Sequence, residues 1–82
     1  MDDVKTLILR LTAARGPDKS ICPSEVARAL DPNWQPRMKQ VRAAAVELAR
    51  AGQIDVLRKG KPVSDLDNLR GVIRLRRKSV LF

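Results

Sequence analysis

Residues 21–54 read ICPSEVARALDPNWQPRMKQVRAAAVELARAGQI, two helical patterns separated by a turn that carries two prolines. Pro23 suits the first position of a helix, where its missing N–H costs nothing. Glu25 stands three residues after Cys22 and can reach back to the amide of that cap position. Cys22 occupies a place where Ser or Thr is usual, so the cap is weaker than most. The helix so opened, about Pro23 to Leu30, turns Val26, Ala27 and Leu30 inward. Asp31-Pro32-Asn33-Trp34-Gln35-Pro36 is the turn. Pro36 opens the longest helix, which runs to about Ala51, with Met38, Val41, Ala45 and Leu48 as its inward stripe and Ala49 beside them. Gly52 ends it.

On the N-terminal side, Asp3 to Ala14 places Val4, Leu7, Ile8, Leu11 and Ala14 at helical spacing, a single apolar stripe. Asp2 and Asp3 suit the positive end of that helix, and Arg15-Gly16-Pro17 stops it. On the C-terminal side, Gln53 to Arg58 alternates, with Ile54 and Val56 on one face. Gly60 and Pro62 start a polar excursion through Asp65, Asp67 and Asn68 to Gly71. Val72 to Arg76 then alternates again, Ile73 and Leu75 facing opposite Arg74 and Arg76. Two strands joined by a loop bounded by glycines read as a hairpin. The expected fold is α+β: a three-helix cluster followed by a two-stranded β-hairpin wing, the plan of a winged helix-turn-helix, with residues 1–82 as one domain.

Composition narrows the function classes. The chain has 82 residues, one cysteine and no histidine. A lone Cys22 forms no internal disulfide, and without histidine the usual metal sites and the usual Cys–His and Ser–His–Asp nucleophiles are missing. The carboxylates are scattered, with no pair forced together by spacing, and each glycine sits at a turn rather than in a phosphate-binding loop. The reading is therefore non-catalytic, with no cofactor and no metal. The opening Met-Asp-Asp-Val-Lys is unlike a secretion signal, and no apolar run is long enough to span a bilayer, so a reduced, cytoplasmic setting without a membrane partner is expected. There are 17 Lys and Arg against 9 Asp and Glu, a net charge of +8. The bias is stronger in residues 53–82, with eight basic and three acidic side chains, than in 1–52, with nine and six. Such a field attracts polyanions, nucleic acid first; the plainer alternative is that the cations keep a small protein soluble.

Cys22-Pro23-Ser24-Glu25-Val26-Ala27-Arg28-Ala29-Leu30 resembles the second helix of helix-turn-helix proteins. Val41 to Leu48 followed by Gly52-Gln53-Ile54 looks like a recognition helix leading into a wing. More specifically, the chain resembles a family of short bacterial proteins classed as a domain of unknown function. The matching segments are Arg15-Gly16-Pro17, Ile21 to Leu30, Trp34 to Leu48, Gly52-Gln53-Ile54, Lys59 to Val63 and Gly71 to Arg76. The resemblance covers most of the chain and implies the winged-helix fold. It implies no activity.

In a DNA-binding winged helix the third helix enters the major groove and the wing touches the neighbouring groove or backbone. Helical geometry puts Lys39, Gln40, Ala43, Glu47 and Arg50 on the face away from the core, with Arg37 at the N-terminal end and Arg42 at the edge of the buried stripe. Gln40 and an Arg have the fork geometry for adenine and guanine edges. Ala43 and Ala44 leave a low surface for close approach, whereas Glu47 would repel phosphate. On the wing, Arg58, Lys59, Lys61, Arg70, Arg74 and Arg76, with Arg77-Lys78, can each neutralise a phosphate. The competing reading of these cations is protection of a strand edge, and Asp65 and Asp67 dilute the field near the loop tip.

Trp34 invites base stacking, but a sole Trp in a turn between helices reads better as a lid on the core. Cys22 at a helix N-terminus could act as a redox sensor; a small residue at a cap position is the simpler account. Val80-Leu81-Phe82 could pack on the first helix or pair with a second copy. The function expected is double-stranded DNA binding by a small transcriptional regulator. The alternative is a protein-interaction module, docking an acidic partner or forming a homodimer. RNA is disfavoured by the scarcity of aromatics. A continuous positive surface joining Lys39, Arg42 and the wing would favour DNA; an exposed apolar patch around Trp34 or the C-terminus would favour a protein.

Overall fold

The computed structural model describes residues 3–16, 18–69 and 71–78. Asp2, Pro17, Arg70 and Val80-Leu81-Phe82, to which the sequence assigned roles, lie outside the described residues. The fold is α+β: three α-helices and a three-stranded antiparallel sheet, an arrangement compatible with a winged-helix-like plan.

α1 spans Asp3–Arg15 and ends where Gly16 takes φ 100° and donates its amide to the Thr12 carbonyl at 3.1 Å. Its innermost line is Val4, Ile8 and Thr12, all buried, with Leu7 and Leu11 at the margin and Ala14 exposed. The expected apolar stripe is thus rotated onto a position held by a threonine. Thr12 is tolerated there because its hydroxyl donates to the Ile8 carbonyl at 2.7 Å, which satisfies the polar atom within the helix itself.

α2 spans Pro23–Leu30, and the Cys22 amide donates to Glu25 Oε2 at 2.8 Å. Val26 and Ala27 are fully buried. The chain then passes Trp34 into a short 3₁₀ turn, Gln35–Arg37, before α3 proper, Met38–Arg50. Pro36 therefore opens a tight turn that runs into the helix. The buried line of α3 is Val41, Ala44, Ala45 and Leu48. Ala44 was expected on the open surface beside Ala43; it is buried because three and seven residues on from Val41 continue one helical stripe. Met38 and Ala49 flank that stripe, half-buried.

β1 (Ile54–Arg58) is the middle strand of the sheet, between β2 (Lys61–Pro62) and β3 (Arg74–Arg77). The third strand, absent from the expected two-stranded hairpin, follows from backbone geometry. Lys59 and Gly60 have φ of 53° and 80°, the pair of left-handed residues that a two-residue type I′ turn requires. The chain consequently folds straight back, pairing Arg58 with Lys61 and Leu57 with Pro62. Pro62, which lacks an N–H, sits on this short edge strand where no ladder bond is lost. The excursion that follows carries a 3₁₀ turn at Leu66–Asn68. β3 then returns on the other side of β1, pairing Val56 with Leu75 and Asp55 with Arg76. The segment before α2 also joins: Ile21 and Leu75 exchange backbone bonds of 2.7 and 2.8 Å.

The core is one cluster, with α1 and α2 contributing Ile8 and Val26, α3 Val41 and Ala45, and the inner face of the sheet Ile54, Val56 and Leu75. Trp34, Val63, Leu66 and Leu69 pack against its margin. Leu75 is wholly buried and lies between β1 and Ile21. Leu75→Ala should therefore cost about 2–5 kcal/mol in denaturant unfolding. Val72→Ala, at a side chain 82% exposed, should change stability by no more than about 0.5 kcal/mol.

Candidate nucleic-acid interface

The cations expected to meet DNA fall into two groups once their partners are known. Arg37 donates to Asp31 Oδ2 from Nε and Nη2, both at 3.3 Å, and from Nη1 to Gln40 Oε1 at 3.2 Å. Arg50 pairs with Asp67. Arg76 donates to Asp55 Oδ2 at 3.0 Å across the β1–β3 pair, both side chains partly buried. Each of these three has a carboxylate to balance it, so each adds little to the external field. Glu47, the residue set against phosphate, is itself paired with Lys5 of α1 at 3.3 Å.

Lys39, Arg42, Arg58, Lys59, Lys61 and Arg74 form the second group, for none of which do the described residues supply an ion pair. Lys39 and Gln40 are exposed on the first turns of α3, next to exposed Ala43. Lys59 and Lys61 are exposed on the β1–β2 turn, held there by the left-handed pair at residues 59 and 60. Arg74 is fixed by neutral acceptors: Nε donates to Ser20 Oγ at 2.7 Å and Nη2 to the Ser20 carbonyl at 2.9 Å. It ties β3 to the segment before α2 without a carboxylate partner among the described residues.

The helix and the turn are bridged at Gly71. Arg42 of α3 donates from Nη1 to the Gly71 carbonyl at 3.4 Å. Arg58, at the end of β1, brings Nη2 to within 3.8 Å of the place a Gly71 side chain would begin. Gly71 has φ 73° and is exposed. Val72 lines both the cleft that holds Met38 and Arg42 and the cleft that holds Arg58, Lys59 and Arg74. Residues 71 and 72 therefore lie between Arg42 of α3 and the cations Arg58, Lys59 and Arg74. The Arg50–Asp67 pair and the Arg42–Gly71 bond tie Asp67 and Gly71 to α3. The exposed residues of α3 are Lys39, Gln40, Ala43, Glu47 and Arg50, the last two held in ion pairs.

Trp34 is half-buried against the core, and the Arg28 guanidinium covers its ring at 4.7 Å from the centroid, a cation–π contact. The ring so used is a lid on the α2–α3 turn. Cys22 is half-buried, and its Sγ accepts from Ser24 Oγ at 3.0 Å. Among the described residues no group of three or more Cys, Asp or Glu could hold a metal ion, and no helix is long and apolar enough to cross a membrane.

The chain belongs to the family described as "Protein of unknown function (DUF3253)", whose model matches residues 1–78. No curated protein matches it.

Asp31 offers a check on the α2–α3 turn. The Asn33 amide, donating to Oδ1 at 3.0 Å, is the main cause that holds its carboxyl below the ordinary aspartate range; partial burial opposes this, and Arg37 adds to the lowering. A folded-state pKa below the unfolded one contributes stability that is present above the unfolded value and lost as pH falls through the folded one. In Arg37→Gln, the Asp31 midpoint read by carboxyl NMR should rise yet stay below that of an unfolded peptide, because the Asn33 amide remains. Asp31→Asn should flatten the acid limb of the stability curve.

Proposed function

We propose that the chain is a winged helix-turn-helix module that binds double-stranded DNA, presenting the N-terminal half of α3 to a groove and the β1–β2 turn to the flanking backbone. The observation that carries this reading is the meeting of Arg42 and Arg58 at Gly71, which sets Arg42 of α3, one turn from Lys39, beside the cleft lined by Arg58, Lys59 and Arg74, cations without carboxylate partners among the described residues. Cations arranged in this way can each replace a counterion on a phosphate. The pairing of Arg37, Arg50 and Arg76 with carboxylates leaves Lys39, Gln40 and Arg42 as the α3 side chains for base-edge contacts. Backbone recognition consequently dominates, with modest sequence discrimination. A single module of this size has a small footprint, so a regulator built on it would act as a homodimer or with a second protein. In this role the chain needs no catalytic group and no cofactor, and it works in the cytoplasm.

The covering of Trp34 by Arg28 removes the apolar patch that a protein-interaction module would have offered there.

Fluorescence anisotropy with a mixed-sequence duplex, titrated across salt concentrations, tests the proposal. Lys59→Asn is the preferred variant, since Asn tolerates the left-handed backbone and Asn-Gly makes a good type I′ turn while the charge is lost. It should weaken binding and lower the log–log salt slope by about 0.9, one phosphate contact. Lys39→Gln, at a base-edge position, should weaken binding and relax sequence discrimination, at a cost of about 1–3 kcal/mol. Arg10→Gln removes equal charge from the α1–α2 side, where Arg10 lines a groove with Leu7 and Leu30, and should leave affinity within about twofold at moderate salt, where distant charges are screened. Absence of binding at low salt, or an Arg10→Gln effect equal to that of Lys59→Asn, would refute it.

A further inference from the structure

Leu57 sits on the outer face of the sheet. Ile54 and Val56, its neighbours on β1, face the core, and Leu57 pairs in register with exposed Arg74 rather than with a core residue. Its side chain is nevertheless only 6% exposed, although it does not belong to the core cluster. It lines a cleft of about 490 Å³ together with Ser20, Val72, Arg74 and residues 58–60 of the β1–β2 turn. Val72 alone among the described large hydrophobic residues is strongly exposed, at 82%. The cleft therefore has an apolar floor and one apolar wall already facing outward.

Its rim is cationic. Arg58, Lys59 and Arg74 all line it, and among the described residues no carboxylate pairs with any of them. Arg74 is held in place by Ser20, whose hydroxyl oxygen accepts from Nε and so retains its own proton to donate to an incoming oxygen. A phosphodiester backbone makes use of such cations but not of the Leu57–Val72 floor. An inorganic anion likewise leaves the floor unused. A neutral apolar molecule leaves three cations unbalanced. The occupant that satisfies both halves is a small molecule with an apolar body and an anionic head, and the volume lies in the range of small-molecule sites.

We infer that this cleft binds an aliphatic monocarboxylate, the chain against Leu57 and Val72 and the carboxylate between Arg74, Lys59 and the Ser20 hydroxyl. The site does not depend on the DNA-binding reading. Because it uses Lys59, Arg58 and Arg74, an occupied cleft withdraws positive charge from the surface assigned to DNA, and ligand and duplex compete.

The probe is octanoate, titrated into the full chain and followed through the methyl resonances of Leu57 and Val72, without DNA. Saturable one-to-one shifts at both methyls are expected, with octylammonium and acetate producing neither. Lys59→Asn, which keeps the turn, and Arg74→Gln should each raise the octanoate Kd about tenfold or more, the loss of one charge-assisted bond. Val72→Asp, at an exposed position that tolerates substitution, should abolish binding while the fold is retained. Equal binding of octylammonium would show an apolar patch only, equal shifts with acetate a general anion effect, and no saturation at millimolar octanoate no site; each overturns the inference. Saturable octanoate binding in a chain that fails to bind any duplex would uphold the cleft and remove the proposed function alone.

Discussion

The backbone exchange between Ile21 and Leu75 is the constraint on which the rest of the molecule depends. It joins the segment that leads into α2 to the last strand, residues 54 positions apart, by two bonds of 2.7 and 2.8 Å. The Leu75 side chain is wholly buried below it, and on its other side Leu75 pairs with Val56 of β1. One residue thus fixes where the helices sit relative to the sheet. Its neighbour Arg74 repeats the link on the outer surface through Ser20. For a chain of 82 residues this economy is needed: a small domain buries a limited share of its surface, and each long-range contact must hold several elements together.

The candidate interface inherits its shape from that frame. The register that pairs Val56 with Leu75 also pairs Asp55 with Arg76 and Leu57 with Arg74. The first of these neutralises a cation; the second sets an exposed cation beside a sheltered leucine. A slip of one residue would send the core side of β3 outward and undo both. The left-handed pair at Lys59 and Gly60 acts in the same way, since it folds the chain back after Arg58 and so sets Lys59 in a tight turn and Lys61 in β2 opposite Arg58.

Helices were readable in the sequence where local chemistry is unambiguous. Pro23 and Glu25 mark the start of α2, and its extent follows from them because both signals act within one turn. The α1 stripe was read with Ala14 in place of Thr12, since composition alone cannot show that a hydroxyl will be satisfied by the carbonyl four residues earlier. β2 was missed because a lysine in left-handed conformation leaves no compositional trace; only Gly60 hinted at a turn. The sequence reading gives Ala44 to the open surface beside Ala43, whereas it lies three residues after Val41 and four before Leu48 on the buried line. The cations of the candidate interface were all visible as residues, but not which of them are balanced. Arg50 and Asp67 are 17 positions apart and Asp55 and Arg76 are 21 apart, so their pairing depends on the tertiary fold and the strand register.

Mapping the amide resonances of the labelled chain during titration with a mixed-sequence duplex at low salt tests the central claim most directly. The account predicts shifts confined to one continuous surface, at residues 39–43, 58–61 and 71–74, fading together as salt is raised. Shifts centred on the α1–α2 groove around Arg10 and Leu30, or no shifts at any salt concentration, would contradict it.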